Sequence, residues 1–245
     1  MSETRIAVVT GAAGGMGRAI VETLLQSGMT VIGLDIDGPA MKAMEASLGG
    51  DFEGHQVDLT KADAISAVFA AIAEKHGGID ALVNNAGTCL MSAFPDIPAE
   101  ELDRQMAINF SSAFHCSQQA VKLMAGRAGV RKIVMISSNG AYNFDVFDPP
   151  HYRASKAAMD TLTKDLARRY ARDKIAVNSI APAMTETPLF GVVSEEVLEK
   201  ALAAMPHGRA MQPSEIAAWV AFLLSPAGDV SSGNVIILNQ GRDVR

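Results

Sequence analysis

Ile6-Ala-Val-Val-Thr-Gly-Ala-Ala-Gly-Gly-Met-Gly-Arg-Ala-Ile20 decides the fold. Ile6 to Val9 is a short apolar run, as expected of a strand buried on both faces. A glycine-rich turn, Gly11 to Gly17, follows at once, and Arg18 to Gln26 then carries Ile20, Val21, Leu24 and Leu25 at helical spacing. Strand, glycine turn and helix together form the opening of a dinucleotide-binding unit. Without Cβ atoms the turn brings backbone N–H groups against a pyrophosphate, and the helix N-terminus adds about half a positive charge. Val31-Ile-Gly-Leu-Asp35 is a second apolar run ending in a carboxylate, close to the ~20-residue offset of a ribose-binding acid.

Outward from this stretch, short apolar runs alternate with helical patterns. Pro39 to Leu48 reads as a helix stopped by Gly49-Gly50, and Asp37 before Gly38 as a turn residue rather than a second ribose partner. His55 to Asp58 reads as a third strand, and Thr60 as the cap of a helix running to His76. Ala81 to Asn84 is a fourth strand, followed by a helix from about Ala99 to Ala125. Lys132–Ile136 and Ile175–Ile180 are strands enclosing a helix from Tyr152 to Arg172; Ser214–Leu224 is a helix with Pro213 near its start, and Asn234–Leu238 a last strand. The expected architecture is α/β: a doubly wound, seven-stranded parallel sheet with helices on both faces, in a single domain spanning 1–245. Two connections, about 143–151 and 185–209, are too long for turns and leave carboxyl ends of strands, where such sheets bind ligands.

The chain has 245 residues, 49% of them hydrophobic, enough for one sizeable core. A net charge of −6 with scattered Lys and Arg argues against a nucleic-acid surface. Cys89 and Cys116 give neither a disulfide framework nor metal-ligand spacing, so no metal is expected, and a reducing compartment is the simplest reading. The polar start, Met1 to Arg5, and the lack of an apolar run near ~18 residues point to a cytoplasmic protein with no membrane partner.

A second stretch carries chemistry: Ile136-Ser-Ser138, then Tyr152-Arg-Ala-Ser-Lys156. Tyr152 and Lys156 share one helix face. A tyrosine with its reference pKa of ~10 is a poor base at neutral pH. An adjacent ammonium, with a cationic nicotinamide nearby, favours the phenolate, and a drop of ~2–3 units corresponds to about 3–4 kcal/mol. Tyr152 would then take a proton from an alcohol or give one to a carbonyl. A serine at the tip of the preceding strand can hold the reacting oxygen.

Taken in order, these motifs resemble the short-chain dehydrogenase/reductase family over essentially the whole chain. Thr10-Gly11-x-x-x-Gly15-x-Gly17 matches its cofactor loop, Asp58-Leu59 its adenine-side acid, and Asn84-Asn-Ala-Gly87 its next signature. Asn109, Ser138, Tyr152 and Lys156 fall at the tetrad positions. The resemblance implies a Rossmann fold. It makes Tyr152 the acid/base and Ser138, rather than Ser137, the residue that steadies the substrate oxygen. Lys156 would lower the phenol pKa and hold the nicotinamide ribose, and Asn109 would keep a water in the proton relay. The implied cofactor set is Gly11, Gly14, Gly15, Met16, Gly17, Asp35, Ile36, Asp58, Leu59, Asn85, Ala86, Gly87, Tyr152, Lys156, Pro182 and Thr187. A carboxylate at Asp35 accepts from both ribose hydroxyls and repels a 2′-phosphate. NADP-preferring relatives place a base where this chain has Gly14 or Ile36, so NAD is the expected cofactor.

The chain departs from the family pattern at Ala183, where a glycine is usual, and at Asn239-Gln-Gly241, where Asp-Gly-Gly is common. The first narrows the space beside the nicotinamide; the second bears on subunit contacts. The family commonly forms tetramers through its two long helices and last strand, so a homotetramer is expected, with Phe114 and Cys116 at the interface or in the core. Cys89, Met91, Phe94, Phe144, Phe147, His151, Leu189, Phe190 and Val193 line the expected substrate space, with His151 either touching substrate or packing at its helix start. That lining implies a largely apolar secondary alcohol or ketone. The rivals are a 3-oxoacyl-thioester reductase, a type that generally prefers NADPH, and a catalytically silent NAD(H)-binding sensor.

Overall fold

A computed structural model describes residues 4–144, 148–188, 191 and 195–243. Seven parallel strands form one sheet: β1 (Ile6–Thr10), β2 (Thr30–Asp35), β3 (Phe52–Gln56), β4 (Ala81–Asn84), β5 (Arg131–Ile136), β6 (Ile175–Pro182) and β7 (Val235–Leu238), in the order β3-β2-β1-β4-β5-β6-β7. Because successive residues of a strand face opposite sides, the sheet feeds two cores. Val8, Leu82 and Ile133 point to one, closed by helices α3 (Ala62–His76), α5 (Ser112–Met124) and α6 (Pro150–Arg169) through Phe69, Cys116 and Met159. Ala7, Val9, Val83 and Val134 point to the other, closed by α1 (Gly15–Gln26), α2 (Gly38–Leu48) and α8 (Pro213–Leu224) through Ile20, Leu24, Met41 and Val220. Leu24 is buried; removing such a side chain costs about 2–5 kcal/mol.

The strand order reverses between β1 and β4, so the turns leaving these two strands flank a crevice at the carboxyl edge. Asn85 joins them. Its Nδ2 donates to the carbonyls of Thr10 (3.1 Å) and Gly11 (3.0 Å), and the N–H groups of Asn85 and Ala86 both donate to Thr10 Oγ1 at 3.0 Å.

The observed elements differ from the sequence reading in several places, among them α6, which begins at Pro150, inside the expected 143–151 connection, and ends at Arg169 rather than Arg172. The third strand is Phe52–Gln56 and not His55–Asp58, because Phe52 is the residue that pairs with Val31 and packs beneath Gly33. Thr60 does not cap α3, which begins at Ala62 after Lys61; its N–H (2.9 Å) and Oγ1 (2.7 Å) both donate to Asp58 Oδ1. The long helix expected from Ala99 is α4 (Ala99–Met106), a π turn over Ala107–Ser111, then α5. The connection after β6 contains a helix of its own, α7 (Glu195–Ala203). At α2, Asp37 Oδ1 accepts from Ala40 N at 2.9 Å and is the helix cap.

Candidate active site

The glycine turn is built for close approach. Gly11 adopts φ +63°, a left-handed conformation that glycine tolerates best. A Cβ on Gly17 would run into the Gly11 carbonyl oxygen and stand 2.8 Å from Asn85 Nδ2. α1 starts without a side-chain cap, so its first N–H groups remain directed at the crevice. The chain leaving β6 covers this turn: a Cβ on Gly15 would lie 3.1 Å from Pro188 Cδ and 3.4 Å from Thr187. Pro182 is buried at the end of β6, and Ala183 N donates to Leu238 O at 2.8 Å, so residue 183 is tied to β7.

Asp35 ends β2, where its Oδ2 accepts from Ala13 N (2.9 Å) and its Oδ1 from Asp37 N (3.0 Å). Its main-chain oxygen accepts from Val57 N at 2.7 Å, which brings Asp58 and Leu59 alongside. The Asp58 carboxyl lies below its usual range because Thr60 donates to it. Ile36 projects outward, 66% exposed.

Across the switch point, two of the four tetrad positions, Lys156 and Asn109, lie against Gly87. A Cβ there would lie 3.2 Å from Lys156 Nζ and 3.4 Å from Asn109 Oδ1. The π turn carries Asn109 inward, where Oδ1 accepts from Thr88 N (2.8 Å) while Nδ2 donates to Thr88 O (3.0 Å) and Ser155 Oγ (3.0 Å). Lys156 Nζ donates to Ile136 O at 2.8 Å. Burial pulls its ammonium down to about 8, against Asp160 and Cys89, which raise it. Nζ stands 5.9 Å from the Tyr152 ring centroid. Ser138 Oγ accepts from Gly140 N at 3.0 Å, and its hydroxyl is hydrogen-bonded to the Tyr152 phenol. Ser137 turns the other way, its Oγ donating to Asp160 Oδ2 at 2.9 Å.

In the protein alone the Tyr152 pKa lies above its ordinary value, raised first by burial and next by Asp148, with only the Ser138 hydrogen bond opposing. Lys156 spends its nearest hydrogen bond on Ile136 and does not depress the phenol by itself.

Two carboxyls escaped the sequence reading. Asp160, one helical turn beyond Lys156, accepts from Ser179 Oγ (2.6 Å), Tyr142 Oη (2.8 Å) and Ser137 Oγ (2.9 Å); burial holds it above the usual carboxylate range. Asp148 lies on the approach to α6 and is likewise raised by burial, with Arg153 and Arg242 opposing. The spacing of Asp160 from Lys156 was a visible signal; nothing in the pattern around Asp148 was.

Of the expected substrate lining, Cys89 is buried, its thiol raised by burial and Asp148 to about 12, and Met91 lies against it with Sδ 3.4 Å from Sγ. Phe94 and Phe144 are exposed, and Phe144 lies under the Arg153 guanidinium. His151 is buried at the start of α6, with Nε2 3.2 Å from Glu101 Oε1 of α4. Phe147, Leu189, Phe190 and Val193 lie outside the described residues. Gln240 departs functionally as well as in sequence: Oε1 accepts from His207 N (2.9 Å) and Nε2 donates to Arg209 O (3.1 Å), anchoring the 207–209 segment. Among the described residues no group of three His, Cys, Asp or Glu side chains is placed to hold a metal ion, and no helix is long and apolar enough to cross a membrane.

Known proteins match nearly the whole chain. The family model for enoyl-(acyl carrier protein) reductase matches residues 11–243. A 3-oxoacyl-[acyl-carrier-protein] reductase FabG of Vibrio cholerae is 34% identical, with 98% of this chain and 97% of that protein covered. A 3alpha-hydroxysteroid dehydrogenase of Mediterraneibacter gnavus is 29% identical, with 96% of each covered. A solved structure from Brucella melitensis, described as a short-chain dehydrogenase/reductase, glucose/ribitol dehydrogenase, superposes with a TM-score of 0.92 at 32% identity, covering 98% of this chain and 97% of the other. The glycine turn, the reversed strand order and these full-length matches have one explanation: the chain is an oxidoreductase of the short-chain dehydrogenase/reductase family.

Proposed function

We propose that this chain is an NAD(H)-dependent enzyme that interconverts a secondary alcohol and a ketone by hydride transfer. The pairing of Ser138 with Tyr152, the Lys156 ammonium 5.9 Å from that ring, and Lys156 and Asn109 beside Gly87 together support this reading best. The residues present fit a dinucleotide. Gly11, Gly14, Gly15, Met16 and Gly17 would hold the pyrophosphate, since the missing Cβ atoms leave room against the α1 N-terminus. Asp35, Ile36, Asp58 and Leu59 would frame the adenosine, and Asn85, Ala86, Gly87, Pro182 and Thr187 the nicotinamide half. Bound NAD(H) supplies the hydride acceptor in oxidation and the donor in reduction.

The side chains handle the proton and the substrate oxygen. In oxidation Tyr152 Oη takes the hydroxyl proton as the electron pair of the adjacent C–H bond leaves as hydride; in reduction it returns a proton to the carbonyl oxygen. Ser138 donates to that oxygen and fixes its distance from Tyr152. The Lys156 ammonium would hold the nicotinamide ribose and counter the burial that raises the phenol, with the positive nicotinamide ring adding to it. Asn109, locked by Thr88 and Ser155, would hold the water that passes protons from Lys156 to solvent.

NAD is favoured over NADP by the charges around Asp35. Its carboxylate keeps lone pairs for ribose hydroxyls and repels a 2′-phosphate, Ile36 adds no cation, and Arg18 is paired with Glu22 at 2.9 Å. A homotetramer is the assembly we infer. The matched FabG and the family model favour a second reading, a 3-oxoacyl-thioester reductase working with the same four residues. Initial rates with NAD+ and NADP+ over a panel of secondary alcohols, and with NADH and NADPH over a 3-oxoacyl thioester, separate the two. NAD+-dependent alcohol oxidation that falls at least about 100-fold in Tyr152→Phe is the expected outcome. NADPH-dependent thioester reduction as the faster activity favours the second reading, and NADH binding without turnover of either substrate marks a sensor.

A further inference from the structure

Asp148 takes no part in the proton transfer, yet it faces the reacting groups. Its main-chain oxygen accepts from Arg153 Nε at 2.8 Å, and Arg153 also holds the carbonyls of Gly140 and Asn143, so the backbone at 148 is fixed against the Ser138–Asn143 turn. The side chain then turns inward over Gly140. A Cβ on Gly140 would overlap Asp148 Oδ2 and stand 3.2 Å from Ser138 Oγ, so the two oxygens share the space above that glycine. The carboxyl also acts directly on the Tyr152 phenol and the Cys89 thiol. Among the described residues, none donates a hydrogen bond to either carboxyl oxygen. Asp148 is half-buried, and a carboxylate offers about four accepting positions, so both oxygens stay open to a donor from the crevice.

We infer that Asp148 is a specificity-determining residue: it accepts a hydrogen bond from a hydroxyl on the carbon next to the reacting one, so that the preferred substrate is a vicinal diol, or in reverse an α-hydroxyketone, on an otherwise apolar frame. This rests on the dehydrogenase reading, in which Ser138 and Tyr152 hold the reacting oxygen. The oxygen adjacent to it falls toward the Asp148 carboxyl, which shares the space above Gly140 with Ser138 Oγ. An ammonium is a poorer occupant, because Arg153 and Arg242 already act on this carboxyl with positive charge. A substrate carboxylate would meet Asp148 as a like charge. A neutral hydroxyl donor fits both constraints, while Cys89 and Met91 supply apolar wall.

Cyclohexanol and cis- or trans-cyclohexane-1,2-diol differ only in the hydroxyl at issue, so the readout is the ratio of their kcat/KM values with NAD+. The wild-type protein is expected to favour one of the diols by at least about tenfold, and the ratio to fall in the order wild type, Asp148→Asn, Asp148→Leu, because Asn keeps one acceptor and Leu none. Asp148 also raises the Tyr152 phenol, but both alcohols share that effect and it cancels in the ratio. A wild-type ratio at or below one for both diols overturns the inference without any variant, and a ratio unchanged in Asp148→Leu overturns it too. No turnover of any of the three alcohols, or turnover untouched by Tyr152→Phe, overturns the dehydrogenase reading itself and the inference with it.

Discussion

At Lys156, loss of water and neighbouring negative charge act in opposite directions, and burial wins. The ammonium is pulled to about 8 from an ordinary 10.5 even though Asp160 and Cys89 raise it. A base whose pKa is lowered by folding binds fewer protons folded than unfolded between those two values. The folded state therefore gains stability as pH rises from about 8 to 10.5, and below 8 carries the full penalty of the buried charge. Lys156→Met removes that penalty. The variant is expected to unfold at higher denaturant concentration than the wild type at pH 7, with the gap closing as pH passes through the window. A gap that stays constant from pH 7 to 10.5 would show that the lysine charge is not what separates the two proteins. The same substitution is expected to abolish the proposed alcohol oxidation.

Among the elements, β3 shows how an edge strand can be held by charge. Only Phe52 of its five residues is buried. Glu53 binds the strand to the end of α3: Oε2 accepts from Lys75 Nζ (2.8 Å) and His76 Nε2 (2.9 Å), and Oε1 from His55 Nε2 (2.8 Å). Burial alone would raise the Glu53 carboxyl, but these donors outweigh it and hold it at about 2 against an ordinary 4.5. A carboxyl lowered in the folded state contributes stability above its unfolded pKa and loses it as pH falls toward the folded one. Glu53→Gln is therefore expected to lose about 1–2 kcal/mol at pH 7, and the difference from wild type to vanish between about 4.5 and 2. Equal unfolding midpoints at pH 7 would remove Glu53 from the account of this edge. β3 also marks where periodicity stops being informative. With Gly54, His55 and Gln56 half-buried or exposed, the strand has no alternating apolar signal, and the reading slipped toward Val57 and Asp58. The glycine turn was legible because Gly11 and Gly17 are demanded by local geometry, and the central strands because they are apolar on both faces. α7 was missed although Val197, Leu198 and Ala201 carry helical spacing, since a long connection at a carboxyl edge reads first as a loop. Asp148 and Asp160 were missed for a different reason. A lone aspartate on a loop or helix reads as solvent-facing, and their burial is created by Gly140, Ser179 and Tyr142, which only the folded chain brings near.

For the whole molecule, the surface that remains apolar bears on assembly. β7 ends the sheet as an open edge, with Val235, Ile236, Ile237 and Leu238 all only half-buried. An apolar edge strand is a liability unless something covers it. Nearby α8, which packs on β5 and β6, exposes Trp219 (42%) and Phe222 (48%) in an edge-to-face pair with centroids 6.2 Å apart. A second exposed apolar group, Leu102 and Phe114, belongs to α4 and α5, on the sheet face opposite α8. Each patch, meeting its own copy across a two-fold axis, makes a dimer; two distinct patches used together close into a four-chain assembly. Light scattering is expected to give four times the 25.8 kDa chain mass. Trp219→Glu and Leu102→Glu, which introduce a charge at one patch each, are expected to leave two-chain species, and the double variant a single chain. A wild-type mass of one chain, or a tetramer indifferent to both substitutions, would mean that these surfaces are not where the copies meet.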